Sequence, residues 1–380
     1  MKFLCTIILS LTLISSGEEN DRPEKIPALV GKPTTVHMPG HTLFSGIPSI
    51  AISNGGRMWA CWYSSPTVHP KHGSGEDENN FINVVTSADK GETWETAFII
   101  DPDFSGPRRA FDPEVWIDPD GHLRITWADR SCIEWLDATQ DQLWMIDIAE
   151  PDSIPETIPA PVCIGHGVMM CKPTVLSDGT WAFPVAKWSG DQSSTMLVTE
   201  DHGKTWETRG GAVMPREFRS YDEHMFLEKS NGEIVCYSRA KKGPHGIWKA
   251  SSFDSGRTWT SLEPIDVKHT SSRFFIRKLN SGNWILVKNG PITEDVGRRQ
   301  LTAYISRDEG LTWEGGLLLF EGDKVSYPDG QQTEDGTIYL IYDHDRTGAK
   351  DIFVSCFTEA DILAGYNVSG KVSLNKKIRQ

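Results

Sequence analysis

One octapeptide pattern, Ser/Thr-x-Asp-x-Gly-x-Thr-Trp, recurs four times along the 380-residue chain, and its spacing limits the possible fold more than any other feature. The copies begin at Ser87, Thr199, Ser252 and Ser306, and their tryptophans, Trp94, Trp206, Trp259 and Trp313, stand 112, 53 and 54 residues apart. The first gap is two periods with one copy missing. A fixed period of this length marks stacked or radial repeats, each too small to bury a core alone. Within a copy the aspartate is suited to accept hydrogen bonds from nearby backbone and hydroxyl donors, the glycine to supply a positive φ, and the tryptophan to pack between units. The pattern therefore reads as a structural turn, and none of its aspartates is a catalytic candidate.

A second series of turns keeps the same period without using that pattern. Asn54-Gly55, Asp120-Gly121, Asp178-Gly179, Asn231-Gly232, Ser281-Gly282 and Asp335-Gly336 each separate two strand-like runs, with glycines 66, 58, 53, 50 and 54 residues apart. Such dipeptides between alternating apolar runs are the strongest short-range hairpin signal, so the units number six. A unit near 55 residues, with one early hairpin and one later turn, holds four strands. The expectation is an all-β chain: one six-bladed β-propeller of four-stranded antiparallel blades, starting near residues 45, 111, 170, 222, 272 and 326. Residues 18–40 and the tail after Phe357 are expected to complete or cover the last blade, which would remove exposed strand edges. The proline-rich run Pro151 to Pro161 falls where the second unit lacks its octapeptide, and a short helix is expected at Thr358 to Ala364. A surplus of 14 Trp and 34 Gly fits many short strands and tight turns; the ten tryptophans outside the octapeptides are candidates for sugar contacts.

Residues 1–17 combine one lysine, the apolar run Leu4 to Ile14 and small residues at Ser15, Ser16 and Gly17, the pattern of a secretory signal peptide. The run is too short to span a membrane. The mature chain, 18–380, is then a single propeller domain, secreted or periplasmic, carrying Cys61, Cys132, Cys163, Cys171, Cys236 and Cys356, whose pairing spacing does not reveal. A formal charge of -14 and the lack of a basic run disfavour a nucleic-acid partner. No metal-binding or nucleotide-binding motif is present, so no metal and no cofactor are expected.

Propeller blades place their innermost strands around a central channel. Counting nine residues back from each hairpin glycine brings Gly46, Asp112, Met170, Glu223, Arg273 and Tyr327 to that channel. A phenol, two carboxylates and a guanidinium there need one another or a ligand as partners.

The octapeptides and these residues make the chain resemble the sialidase superfamily, whose blades carry such Asp-box repeats; the repeats cover residues 45–357. The resemblance extends to Tyr327 at the start of the last blade, Glu223 opening the fourth, Arg239 on the next strand, and Arg298 or Arg299 ahead of the fifth blade's motif. It implies a retaining, exo-acting glycoside hydrolase acting on a glycan or oligosaccharide with a terminal acidic or modified sugar. Tyr327 would be the nucleophile, the known exception to a carboxylate pair, and Glu223 the base that takes its proton. The acid/base position falls in the first-blade loop, on Glu78 or Asp77. Arg239, Arg273, Arg298, Asp112 and His224 are the candidate substrate-binding residues. One departure stands out: where sialidases open the first blade with Arg-Ile-Pro, this chain has Gly46-Ile47-Pro48. Either Arg273 compensates for the missing arginine or the substrate is not a sialic acid; Arg108, Arg109 and Lys172 are further sources of positive charge. The alternatives are a propeller lyase or neutral-sugar glycosidase using Tyr327 with a histidine such as His224, and a non-catalytic carbohydrate-binding propeller.

Overall fold

The computed structural model describes residues 27–67, 79–102, 108–131, 141–188, 193–219, 221–241 and 246–378, so the expected signal peptide, Cys132 and the acidic pair Asp77 and Glu78 lie outside the described residues. Six antiparallel sheets form a six-bladed propeller. The inner strands are Phe44–Ile52, Arg108–Ile117, the broken pair Val168–Met169 and Thr174–Val175, Met225–Glu228, Phe275–Lys278 and Val325–Gln332, close to the expected blade starts. Second strands carry much of the tryptophan surplus: Trp59, Trp127, Trp181 and Trp284 sit there with at most 1% of their surface exposed. These indoles are core rather than sugar contacts.

The ring closes differently from the expectation. The N-terminal strand Leu29–Val30 pairs with Glu95–Ile100 at the outer edge of the first blade, not with the last one. The last blade takes its fourth strand, Ser373–Lys377, from the C-terminal tail. First and last blades are then tied by side chains to backbone: Gln331 donates to Ile52 O (2.9 Å) and accepts from Ile52 N (3.0 Å), and Asp329 accepts from Ile50 N (3.0 Å). The expected helix is present as Glu359–Ala364, capped by Thr358.

The octapeptide turns join third to fourth strands and share one hydrogen-bond pattern. In the first, Asp89 accepts from Thr93 N (2.8 Å) and Thr93 Oγ1 (2.6 Å), while Ser87 Oγ accepts from Gly91 N (2.9 Å). Two of these connections also grip the inner hairpin of the preceding blade: His202 bonds Asp120 (2.5 Å) and Glu309 accepts from Ser230 N (2.6 Å). The two blades without the octapeptide keep this grip by other means. In the second, Asp152 of the proline-rich run accepts from Gly55 N (3.1 Å) and Ser53 Oγ; in the sixth, Glu359 of the helix accepts from Ser281 Oγ (2.7 Å).

The lower channel is filled by a buried charge network. Arg273 donates to Glu114 (2.9 Å), Pro48 O (2.9 Å), Tyr327 O (3.1 Å) and Met170 O, joining the fifth blade to the first, second, third and sixth. Lys172 bonds Asp329 (2.7 Å), Val115 O (2.6 Å) and Ser49 Oγ (3.0 Å). Ser49 Oγ has one proton, yet it lies 2.8 Å from both Glu114 Oε2 and Asp329 Oδ2. Burial, and then the Asp329 carboxylate, push Glu114 up to about 8 against the pull of Lys172 and Arg273, which favours Glu114 as the holder of a shared proton.

Two stability outcomes follow. Gly310 and Gly336 both have positive φ, but a Cβ on Gly336 meets open space, whereas one on Gly310 would stand 2.5 Å from Tyr237 Oη and 3.0 Å from the Trp284 ring. Gly336→Ala should cost about 1–2 kcal/mol from backbone strain alone, and Gly310→Ala about 1–3 kcal/mol more from overpacking, read by urea melts. For Glu114 the folded-state pKa is raised, so its contribution is complete below the ordinary 4.5 and is lost as the pH rises through about 8. Glu114→Gln, neutral throughout, should therefore gain on the wild type by up to about 1.4 kcal/mol per pH unit between those values; a stability difference flat with pH would show that Glu114 is ionised throughout.

Candidate functional site

Three blades present a side chain to the upper channel by the same backbone device. Ile47, Asp112 and Tyr327 have φ of 57°, 48° and 54°, and each precedes a proline: Pro48, Pro113 and Pro328. The pairing between first and second strands slips at each, between Gly46 and Ser49, Phe111 and Glu114, and Ser326 and Asp329. Proline disfavours the right-handed helical region for the residue before it and lacks the N–H a regular ladder would use, so the strand bulges there. A β-branched residue at positive φ is a true outlier; Ile47 is held by its N–H to Asp343 Oδ2 at 2.8 Å. The first blade's positive-φ hairpin glycine is Gly56 rather than Gly55. Counting from it gives Ile47, which corrects the expected channel position Gly46.

These side chains enter a cavity of about 490 Å³, lined also by Glu223, Arg239, Arg298, Arg346, Arg109, Arg130, Tyr63, Met170, Trp188 and Tyr221. At its floor Tyr327 Oη donates to Glu223 Oε1 at 2.6 Å. Arg239 Nη1 donates to Glu223 Oε1 as well and to Tyr327 Oη at 3.1 Å, and the same guanidinium reaches Ser271 Oγ (3.1 Å). Burial, and then the neighbouring Glu223 carboxylate, push the Tyr327 phenol up to about 12 against the pull of Arg239, Arg346 and Arg298. The phenol thus rests protonated, with a carboxylate placed to take that proton. The guanidinium carbon of Arg346 lies 4.1 Å from the Tyr327 ring centre, and that of Arg298 5.4 Å. Five arginines and two carboxylates make this an electropositive pocket in a chain of net charge -14.

Of the residues expected at the site, Tyr327, Glu223, Arg239, Arg298 and Asp112 come together in this cavity. Arg299 instead pairs with Asp323 at 3.3 Å. Arg273 does not supply the missing clamp: it is 1% exposed, lies beneath Tyr327 and is spent on the channel network. His224 is also misplaced as a substrate or acid/base group. It is 1% exposed, both ring nitrogens lie 2.9 Å from carbonyl oxygens, of Asp222 and Thr195, and burial lowers its pKa. Of the auxiliary basic residues, Arg109 lines the cavity, whereas Arg108 pairs with Asp129 (2.9 Å) and Lys172 lies in the lower network. Glu78 and Asp77 lie outside the described residues. Sequence reasoning missed Arg346, Arg130, Tyr63 and Tyr221. Trp188 was one of ten candidate tryptophans, and its Nε1 donates to Tyr221 O at 3.0 Å, forming an aromatic wall of the cavity. Among the described residues no three His, Cys, Asp or Glu side chains are grouped to hold a metal ion, and no helix is long and apolar enough to cross a membrane.

Comparison with known proteins agrees with this architecture. Residues 71–340 match the model of the BNR repeat-like domain. Among curated proteins none matches the sequence. The Hadza microbial sialidase Hz136 is 22% identical and superposes with a TM-score of 0.66 over 85% of this chain and 67% of its own. The intramolecular trans-sialidase from Ruminococcus gnavus, in complex with oseltamivir carboxylate, is 11% identical with a TM-score of 0.67 over 88% of this chain and 98% of its own. A protein of unknown function from Dyadobacter fermentans is 16% identical with a TM-score of 0.63 over 85% and 94%. At these identities the likeness is one of fold.

Proposed function

The chain belongs to the BNR repeat-like domain family, and from that premise we propose that it is a retaining, exo-acting glycoside hydrolase of the sialidase type, cleaving a terminal acidic sugar from a glycan. The observation that carries this reading is the 2.6 Å hydrogen bond from Tyr327 Oη to Glu223 on the floor of a pocket lined by five arginines. An anionic sugar answers the charge of the pocket. A neutral phenol also approaches an anomeric carbon beside a carboxylate without the repulsion a carboxylate nucleophile would meet.

In the first step Tyr327 Oη bonds to the anomeric carbon as its proton passes to Glu223 and the bond to the departing oxygen breaks. That oxygen takes a proton from an acid, assigned to Glu78 or Asp77 of the first-blade loop. In the second step water attacks the same carbon and gives a proton to the carboxylate that had served as the acid, the bond to Tyr327 breaks, and Glu223 returns its proton to the phenolate. Two inversions leave the anomeric configuration retained. Arg239, which touches both Oη and Glu223, steadies the negative charge as it moves between them. Asp112, which lines the same pocket, would accept hydrogen bonds from the sugar. The leader at 1–17 supports a secreted or periplasmic enzyme meeting external glycans.

Assay against a panel of terminal glycosides should find turnover of an acidic glycoside, with the product released in its original anomeric form by proton NMR. Tyr327→Phe and Glu223→Gln should each lower kcat about 10²–10⁴-fold. Full turnover by Tyr327→Phe would rule out the tyrosine nucleophile, unsaturated products absorbing in the ultraviolet would favour a lyase, and binding without turnover a lectin.

A further inference from the structure

Gly46 is the glycine whose emptiness the site uses. Its φ is not in the positive region, so the backbone does not demand glycine there; the demand is for room. A Cβ on residue 46 would stand 2.8 Å from Arg346 Cδ and 2.9 Å from Arg346 Cγ, closer than carbon atoms pack. The shaft of Arg346 passes through the space that any side chain at 46 would fill. The two positions are 300 residues apart, in the first and last blades, yet they compete for one volume.

What passes through that gap is a guanidinium held in place. Arg346 Nε donates to Asp343 Oδ2 at 2.9 Å and Nη2 to Ser326 Oγ at 3.0 Å, while its carbonyl accepts from Ser45 N at 3.0 Å. Asp343, fully buried, is itself fixed by Ser326 Oγ (2.6 Å) and Ile47 N (2.8 Å). A guanidinium anchored in this way loses little freedom when it binds an anion. Its head lies 4.1 Å from the ring centre of Tyr327, in the cavity that Arg239 and Arg298 also line.

Resting on the glycosidase reading above, we propose that Arg346 is a specificity-determining residue that binds the substrate's carboxylate beside Arg239 and Arg298, and that Gly46 exists to admit it. The pair works as one unit: a side chain at 46 displaces Arg346, and removing Arg346 vacates room for a guanidinium from position 46. Asp343 Oδ2, 3.0 Å from where a Cβ on residue 46 would stand, must give by a few tenths of an ångström in that exchange.

The test measures binding of free N-acetylneuraminic acid and of its methyl ester by calorimetry, together with kcat and KM for an aryl sialoside, in proteins whose circular dichroism matches the wild type. The wild type should prefer the acid. Arg346→Ala should weaken acid binding about 10–100-fold with ester binding nearly unchanged, Arg346→Lys should recover only part of it, and Gly46→Ala should lower the same ratio by crowding the arginine. The double variant Gly46→Arg with Arg346→Ala should regain preference for the acid. An acid-to-ester ratio unchanged in Arg346→Ala and Arg346→Lys, in an enzyme that still cleaves the sialoside, would overturn the role of Arg346 alone. A wild type that neither cleaves the sialoside nor prefers the acid would overturn this inference, and the glycosidase reading falls with it where no other acidic glycoside of the panel is turned over.

Discussion

Arg273 is the interaction on which the rest of the molecule depends. Six sheets arranged around an axis bring backbone carbonyls and the carboxyl of Glu114 together in the lower channel, where each needs a donor. One guanidinium from the fifth blade satisfies carbonyls of the first, third and sixth and the carboxyl of Glu114 in the second. Its planar fork of donors suits several acceptors at once, which the point charge of a lysine would not. Because one of those acceptors is the carbonyl of Tyr327, the ring's structural centre also holds the residue at the floor of the pocket.

Above that plug, chemistry and strain coincide. Ile47, Asp112 and Tyr327 each adopt an unfavourable positive φ, a conformation that persists only where surrounding bonds over-determine it. The determinants differ from blade to blade: Asp343 on the backbone of Ile47, Arg273 on the carbonyl of Tyr327. Farther out, connections of the second, third, fifth and sixth blades each grip the hairpin of the preceding blade. The proline-rich run with Asp152 and the helix with Glu359 keep that grip where the octapeptide is missing.

The local period was legible in the chain, and so was much of the pocket. Hairpin glycines and the proline after Tyr327 mark the bulge from which that side chain emerges, and Glu223 follows from the same count, whereas Arg239 comes from the resemblance to sialidases. The failures have a common cause. Gly46 was counted in place of Ile47 because two adjacent glycines follow Asn54 and only backbone geometry shows which one turns the hairpin. His224 follows Glu223 directly, yet neighbouring residues of an extended chain face opposite ways, and the imidazole is spent on carbonyls. Arg273 occupies a channel position as counted, but spacing does not say at what depth a long side chain ends.

What the sequence by itself determined is whatever repeats: six blades, their turns, and the inner-strand positions that face the channel, since strand alternation and turn chemistry act over a few residues. Tertiary structure alone decided which long side chains meet. The exchange between Gly46 and Arg346 joins the two ends of the ring, and the N-terminal strand settles on the first blade although the ring closes against the last. The first depends on closure, which brings residues 300 apart into contact, and the second on which free sheet edge the strand meets; no local pattern encodes either.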